Sequence, residues 1–262
     1  MRALLTAPTS WPIARISKLR RIALQNLAMA GLPASTIDGM YRSITRLIRT
    51  FAEFPRMNAT NIGQWIRYDG FEHFAEAKRR GNGVLFATAH LGNWELSAFA
   101  HALMAEPMSV VVRPLDNPVL DRFVSARRAL SGNRILGKKD FLRGILEALR
   151  RNEAAGILID QDAGPGGIFV DFFGRQASVD AGFAKLAHKT GAAVIPGFAL
   201  WSDAEQRHVL KFLPIVEMTG DLASDTQRLH SILEQQIRAH PDQWLWMHRR
   251  WKTRPPGEPP LY

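Results

Sequence analysis

Short apolar runs alternate with longer stretches of helical periodicity along most of this chain. Val84 to Ala89 follows Gly81 and Gly83 and has the uniform apolarity of a strand buried on both faces. His90 ends the run, Gly92 and Asn93 break it, and Trp94 to Met104 is made of helix formers with Asn93 as N-cap. The same alternation recurs: Ser109 to Arg113 predicts a strand, Pro118 to Leu130 a helix and Arg134 to Leu136 a short strand. Lys138 to Asn152 predicts a helix and Ala154 to Ile159 a further strand. Ile168 to Phe173 reads as extended, and Ser178 or Asp180 as the cap of a helix reaching Thr190. Ala193 to Trp201 predicts a strand whose Pro196 points to an edge or a bulge, and Val209 to Met218 a last strand interrupted by Pro214. Glu72 to Arg80 and Leu222 to Ala239 read as helices, and the proline-rich end as a frayed tail. Strands alternating with helices predict an α/β fold, with a mixed, largely parallel central sheet covered by helices on both faces.

The first part of the chain has a different pattern. Pro12 to Ala30 carries Ile13, Ile16, Leu19, Ala23 and Leu27 at helical spacing, and Gly31 and Pro33 stop it. A second helix from Ser35 or Thr36 to about Phe54 places Ile37, Met40, Ile44, Leu47, Ile48 and Phe51 on one side and Arg42, Arg46 and Arg49 on another. Up to Arg56 there are nine basic residues against Asp38 and Glu53, so much of the net charge of +10 lies here. Residues 1–56 are therefore expected to be a basic amphipathic helical arm and residues 57–262 the α/β domain. Such an arm suits the surface of an anionic membrane, with Arg15, Lys18, Arg42 and Arg46 among its charges, and equally suits a helical hairpin packed on the core. No apolar run is long enough to predict a spanning helix, and the arginine-rich start does not read as a signal peptide.

Length and a 46% hydrophobic content allow a full core, and the absence of cysteine excludes disulfides, thiolate metal sites and a cysteine nucleophile. A pI near 10.5 calls for an anionic partner. The chemistry centres on His90. It stands between a buried strand and a helix, where open α/β sheets bind ligands, and Glu95 follows in the first turn of that helix. A histidine with a carboxylate nearby has the parts of a general base and its orienting partner, although acidic residues also favour helix N-termini for dipole reasons alone. Two more strands end on polar groups, at Arg113 and Asp160, as a site built along one edge of a sheet would require.

The segment HLGNWE resembles the histidine-plus-acid motif of the glycerolipid acyltransferase superfamily. VVRPLDNPVLDRFV (Val111 to Val124), IDQDAGPGGIFVDFFGRQAS (Ile159 to Ser178) and HPDQWLWMHRRWK (His240 to Lys252) narrow the likeness to bacterial lipid A biosynthesis acyltransferases. The resemblance covers roughly residues 65 to 252, in the family's order. It implies a general base, His90, oriented by Glu95, and substrate contacts from Arg113, Asn117, Asp160 and Arg175. It implies acyl transfer from an acyl carrier protein or coenzyme A thioester to a hydroxyl of a lipid acceptor, with no cofactor and no metal. The expected setting is peripheral, on the cytoplasmic face of the bacterial inner membrane, as a monomer on an anionic surface and without nucleic acid. The oxyanion of the transfer would be met by backbone N–H groups after His90 or by Arg113, whose planar guanidinium suits a grip on a phosphate instead.

Two rival readings make different demands. Asp160 and Asp162 after a strand also fit a metal-dependent glycosyltransferase, which leaves HLGNWE unexplained. The basic charge and seven tryptophans also fit a nucleic-acid-binding protein, which gives His90 no role. The interleaved tryptophans and basic residues of Trp244 to Arg254 suit either a membrane headgroup level or a packed core.

Overall fold

A computed structural model of the chain describes residues 17–112, 115–137 and 141–262. Strands β1 (Ile66–Asp69), β2 (Val84–Thr88), β3 (Ser109–Val111), β4 (Arg134–Leu136), β5 (Ala154–Leu158), β8 (Ala193–Ser202) and β9 (Arg207–Phe212) form one sheet in the order β1-β9-β8-β2-β5-β3-β4. β8, β2, β5, β3 and β4 run parallel; β9 is antiparallel to β8, and β1 parallel to β9. β6 (Ile168–Phe172) and β7 (Arg175–Val179) pair as a separate antiparallel hairpin. The described helices are α1 (Ser17–Met29), α2 (Thr36–Glu53), α3 (Phe71–Arg79), α4 (Trp94–Met104), α5 (Pro118–Ala129), α6 (Phe141–Arg150), α7 (Gly182–Thr190) and α8 (Leu222–Ala239).

The uniform apolarity of β2 follows from its place near the middle of the sheet. Side chains alternate between faces along a strand. Val84 and Phe86 pack with Phe74 of α3 and Phe99 of α4 on one face. Leu85 and Ala87 pack with Ile145 and Leu149 of α6, Phe183 of α7 and Leu229 of α8 on the other. All four are buried, so neither face of the strand tolerates a polar residue.

A third core gathers at the end of β2, where Ala89 and Leu91 meet Trp244, Trp246 and Trp251, each at most 1% exposed. Ala23 and Leu27 of α1 and Ile37, Met40 and Tyr41 of α2 belong to it, so the apolar stripes of the first two helices face inward. The start of the first predicted helix lies outside the described residues. Asn26 of α1, fully buried, donates to the carbonyls of Trp246 and His248 at 2.6 Å and accepts from the Tyr262 hydroxyl. The tail expected to fray is held at its end by that bond and by Gln25 donating to the Leu261 carbonyl.

Three expectations are corrected. Of the two residues expected to cap the next helix, Ser178 lies inside the hairpin strand β7; α7 starts only at Gly182, whose N–H donates to Asp180. Pro196 lies inside the sheet at the last registered pair between β8 and β2, Ala87 with Pro196, after which β8 pairs with β9 from Gly197 on. A missing N–H is tolerated where one ladder stops and another begins. β9 ends at Phe212, before Pro214 rather than across it.

Candidate functional site

β2 and β5 are adjacent and parallel, with Thr88 level with Leu158, and the Ile159 N–H donates to the Thr88 carbonyl. The residues that follow, His90 and Asp160, therefore leave the sheet side by side although 70 positions apart. His90 Nδ1 lies 2.9 Å from Asp160 Oδ1, and the His90 N–H donates to Asp160 Oδ2 at 2.9 Å. Trp244 Nε1 donates to the same Oδ2 at 2.8 Å. A carboxylate only accepts, so Nδ1 carries the proton and neutral His90 has its free lone pair on Nε2.

This geometry corrects the partner expected from sequence. The carboxylate orienting His90 is Asp160, while Glu95 is gripped by Arg128 through two parallel bonds of 2.8 and 2.5 Å. A position in the first turn of α4 aims Glu95 across the cleft towards α5 rather than back at the imidazole. Glu95 still acts on His90 through its charge. Burial opposes the imidazolium, but the charge and hydrogen bond of Asp160, with the charge of Glu95, more than offset it and raise the His90 pKa above 6.5. Burial likewise opposes the Asp160 charge, yet His90, Trp244 and the His90 backbone hold that carboxyl well below its usual range.

The turn that presents His90 depends on Gly92. Its φ is +68°, and a Cβ there would lie 2.1 Å from the Ala199 carbonyl oxygen of β8. The Gly92 N–H donates to the Gln243 carbonyl, and the Asn93 N–H to that of Ala199. Asn93 then caps α4 as expected, accepting from the Leu96 N–H at 3.0 Å. Gly92→Ala is expected to destabilise the fold by more than about 2 kcal/mol, from left-handed strain and the clash together; urea unfolding checks it, and an unchanged midpoint would contradict the geometry.

His90, 18% exposed, borders a cleft of about 520 Å³. Its polar wall is His90, Glu95, Arg128, Asp116, Asn133 and Gln161; Trp94, Phe99, Val110, Leu115 and Ile135 are among its apolar residues. A smaller cavity of about 50 Å³ shares Trp94, Ala98, Val110 and Leu158 with the cleft and continues among Phe86, Met108, Gly156 and Phe212. A histidine at the mouth of an apolar passage can take a proton from a hydroxyl while a hydrocarbon chain lies beyond it.

The remaining expected contacts fall elsewhere. Arg113 lies outside the described residues. Asn117 caps α5, accepting from the Val119 and Leu120 N–H groups. Arg175, in β7, donates to the Met29 carbonyl at 3.3 Å, linking the hairpin to α1 instead of lining the cleft. Asp160 is 2% exposed and holds His90 rather than a substrate. Asp162 accepts from Gly164 and twice from Thr253. The two carboxylates of the glycosyltransferase reading are thus engaged by separate partners, Asp160 by His90 and Trp244 and Asp162 by Gly164 and Thr253. The N–H groups of His90, Gly92 and Asn93 are all bonded within the fold, which removes them as oxyanion donors.

Sequence reasoning missed Arg128 and the bond from Trp244. Trp244 was visible only as part of an aromatic, basic block, and its burial excludes a headgroup-level place for it. Arg250, in the same block, is also fully buried; it donates to the Ser178 carbonyl at 2.8 Å and lies 5.1 Å from the centre of the Phe172 ring. Burial lowers its pKa to about 10 despite the nearby carboxylates of Asp160 and Asp162.

Comparison with known proteins adds to the site. Residues 2–253 match the family described as bacterial lipid A biosynthesis acyltransferase. The chain is 32% identical over 205 residues to the lipid A biosynthesis lauroyltransferase of Escherichia coli, covering 77% of this chain and 66% of that protein. It is 30% identical over 208 residues to the palmitoleoyltransferase of the same organism, covering 78% and 67%. A phosphatidylinositol mannoside acyltransferase of Mycobacterium tuberculosis is 28% identical over 230 residues, covering 85% and 72%. The matched stretch thus spans about two thirds of the length of the first two relatives. A match across nearly the whole chain, on a fold that places the motif histidine at the mouth of an apolar cleft, leads to one conclusion: the chain belongs to the bacterial lipid A biosynthesis acyltransferase family.

Proposed function

We propose that the chain moves a fatty acyl group from a thioester, on acyl carrier protein or coenzyme A, to a hydroxyl of a lipid A-type glycolipid or a related lipid. The observation that carries this reading is the bond from His90 Nδ1 to the buried Asp160 carboxylate, with the ring bordering an apolar cleft. His90 Nε2 takes the proton of the acceptor hydroxyl as its oxygen attacks the thioester carbonyl carbon. The tetrahedral intermediate collapses, the carbon–sulfur bond breaks, and the departing sulfur takes the proton from His90. Asp160 stabilises the imidazolium in between and fixes its orientation. The acyl chain lies along Trp94, Val110 and Leu158 into the smaller cavity.

The donor would be recognised at the open side of the cleft and the acceptor beside Arg128 on its wall; Arg113, outside the described residues, is the candidate for the acceptor's phosphate, which a guanidinium suits. The enzyme works peripherally at the cytoplasmic face of the inner membrane. No described helix is long and apolar enough to cross a bilayer. The exposed charges of Lys18, Arg20, Arg21 and Arg42 support attachment to anionic lipid. Arg46 is less available than expected, since it pairs with Asp203 at 3.6 Å and stacks on Trp201; Arg15 lies outside the described residues.

Mass spectrometry of membrane lipids from cells with and without the protein tests the reading: one lipid species should gain a single acyl chain only when the protein is present. Identical lipid profiles would count against it. Glu95→Gln should leave weak activity, because it removes a charge that favours the imidazolium and releases Arg128. Losing that charge lowers the His90 pKa, so the acidic limb of the pH profile for kcat/KM should move to lower pH. A limb moving upward would contradict this electrostatic role.

A further inference from the structure

Helix α5 is built inside out. Val119, Phe123, Ala126 and Leu130 follow one another at i, i+4, i+7 and i+11, which places them on one face. That face points away from the protein: Val119 is 65% exposed, Phe123 51% and Leu130 54%, and Leu120 beside them 51%. Two polar side chains lie off that face. Arg128 holds Glu95 at the cleft, and Asp121 accepts from the Leu115 N–H. No residue of the helix is buried. An ordinary surface helix has the reverse arrangement, and an exposed apolar stripe of this length marks a surface that has an apolar partner.

The flanks of the stripe identify that partner. Arg122 is exposed on one side; Arg127 on the other lies 4.3 Å from the centre of the Phe123 ring and donates to the Ala52 carbonyl at 3.0 Å. The second bond ties α5 to the end of α2, where Ile48 is 51% exposed and Arg49 is also exposed, with exposed Arg42 further back along the helix. Against these bases the nearby acids are Asp116 and Asp121 around α5 and Asp38 and Glu53 on α2, of which Glu53 is paired with Arg56. Leu115, Asp116 and Arg128 line the cleft, so the stripe stands at its mouth. A row of apolar side chains bordered by arginines is the surface that settles into the headgroup and upper acyl region of an anionic bilayer. The first two helices bury their own apolar stripes in the third core, so they supply charge but little insertable surface.

We propose that the outer face of α5, with Ile48, is the membrane-docking surface of this protein, and that it sets the mouth of the cleft against an anionic bilayer. The choice of a bilayer over an acidic protein rests in part on the proposed lipid acceptor. Insertion of three half-exposed apolar side chains accounts for about a hundredfold in partitioning.

The test is co-sedimentation of the full chain with vesicles of phosphatidylethanolamine and phosphatidylglycerol, and with neutral phosphatidylcholine vesicles. The wild type should favour the anionic vesicles and lose affinity as salt is raised. The triple variant Val119→Ser, Phe123→Ser, Leu130→Ser should bind about a hundredfold more weakly at all salt concentrations. Arg122→Glu should reduce binding mainly at low salt. All these positions are exposed, so unchanged circular dichroism and thermal midpoint are expected. Acyl transfer to a detergent-dispersed acceptor should be retained in the triple variant. Unaltered vesicle binding by the folded triple variant overturns the proposal. So does normal vesicle binding combined with a raised KM for a carrier-protein donor, which would make the stripe a protein-docking surface. Wild-type protein that binds vesicles through the stripe yet transfers no acyl group would leave the docking surface standing and remove the proposed activity.

Discussion

His90→Ala should abolish acyl transfer while leaving the fold intact. The side chain is partly exposed at the mouth of the cleft, and its ring packs edge-on to Trp94 at 5.0 Å rather than in a closed core. Its loss removes the only described base whose free lone pair is fixed at the cleft by a buried carboxylate. A positioned general base contributes on the order of 10²–10⁴-fold, and the hydroxyl of a sugar or lipid is a poor nucleophile without one. Turnover should therefore fall by at least about 10³-fold, with little change in lipid KM because no binding contact is removed. Steady-state transfer by purified, folded His90→Ala checks this, and near wild-type turnover would remove His90 from the mechanism.

Asp160 should cost both activity and stability when replaced. Its two oxygens accept from His90 Nδ1, the His90 N–H and Trp244 Nε1. In Asp160→Ala all three donors are left facing an apolar site, and His90 loses its orientation. Leaving a buried donor without an acceptor costs roughly 1–3 kcal/mol for each that finds no new partner. Asp160→Asn is gentler in shape but still unsuitable, because three donors converge on a group with a single acceptor oxygen and one must face an amide N–H. Turnover of Asp160→Asn should fall by about 10²-fold or more, against a smaller loss in Glu95→Gln. Trp244→Phe, which keeps an aromatic ring but loses one donor, should have a milder defect than either Asp160 variant.

The same substitutions alter the pH dependence of stability. The folded Asp160 carboxyl has a pKa below its unfolded value of 3.8, so the native state keeps the charge while the unfolded chain begins to take up protons. Its contribution is fully present above that value and drains away as pH falls towards the folded pKa. The His90 contribution has the opposite sign: with its folded pKa raised above 6.5, it is present below that value and lost as pH rises through the folded one. Denaturant unfolding between pH 3 and pH 8 should show both slopes flattened in Asp160→Ala, where neither group has its partner.

Local parts of this site were legible in the sequence. The strand–turn–helix around His90 follows from an apolar run, a glycine that must adopt positive φ, and an asparagine placed to cap. The general-base partner was not, because it depends on which strands become neighbours. Glu95 is close in sequence, yet the first turn of α4 aims it at Arg128. Asp160 is far in sequence, yet the register of β2 with β5 brings it beside the imidazole. Strand β1, of four residues, and β7, whose Arg175 and Gln176 carry no apolar signal, left too little pattern to detect. Asn117 and Arg175 stood in motif segments, but their side chains serve a helix cap and an inter-element bond, uses that motif membership does not distinguish from substrate contact. In α5 the helix itself was readable, while the direction of its apolar face was set by the polar demands of the cleft, above all Glu95.

The reaction itself is most directly tested by incubating the purified full chain with an acyl thioester and a lipid A-type acceptor, reading lipid mass and free thiol together. Acyl transfer predicts that the acceptor gains the mass of one acyl chain, with one thiol released for each acylated lipid. Thiol release with no change in lipid mass, from folded protein supplied with its acceptor, would contradict the proposed activity.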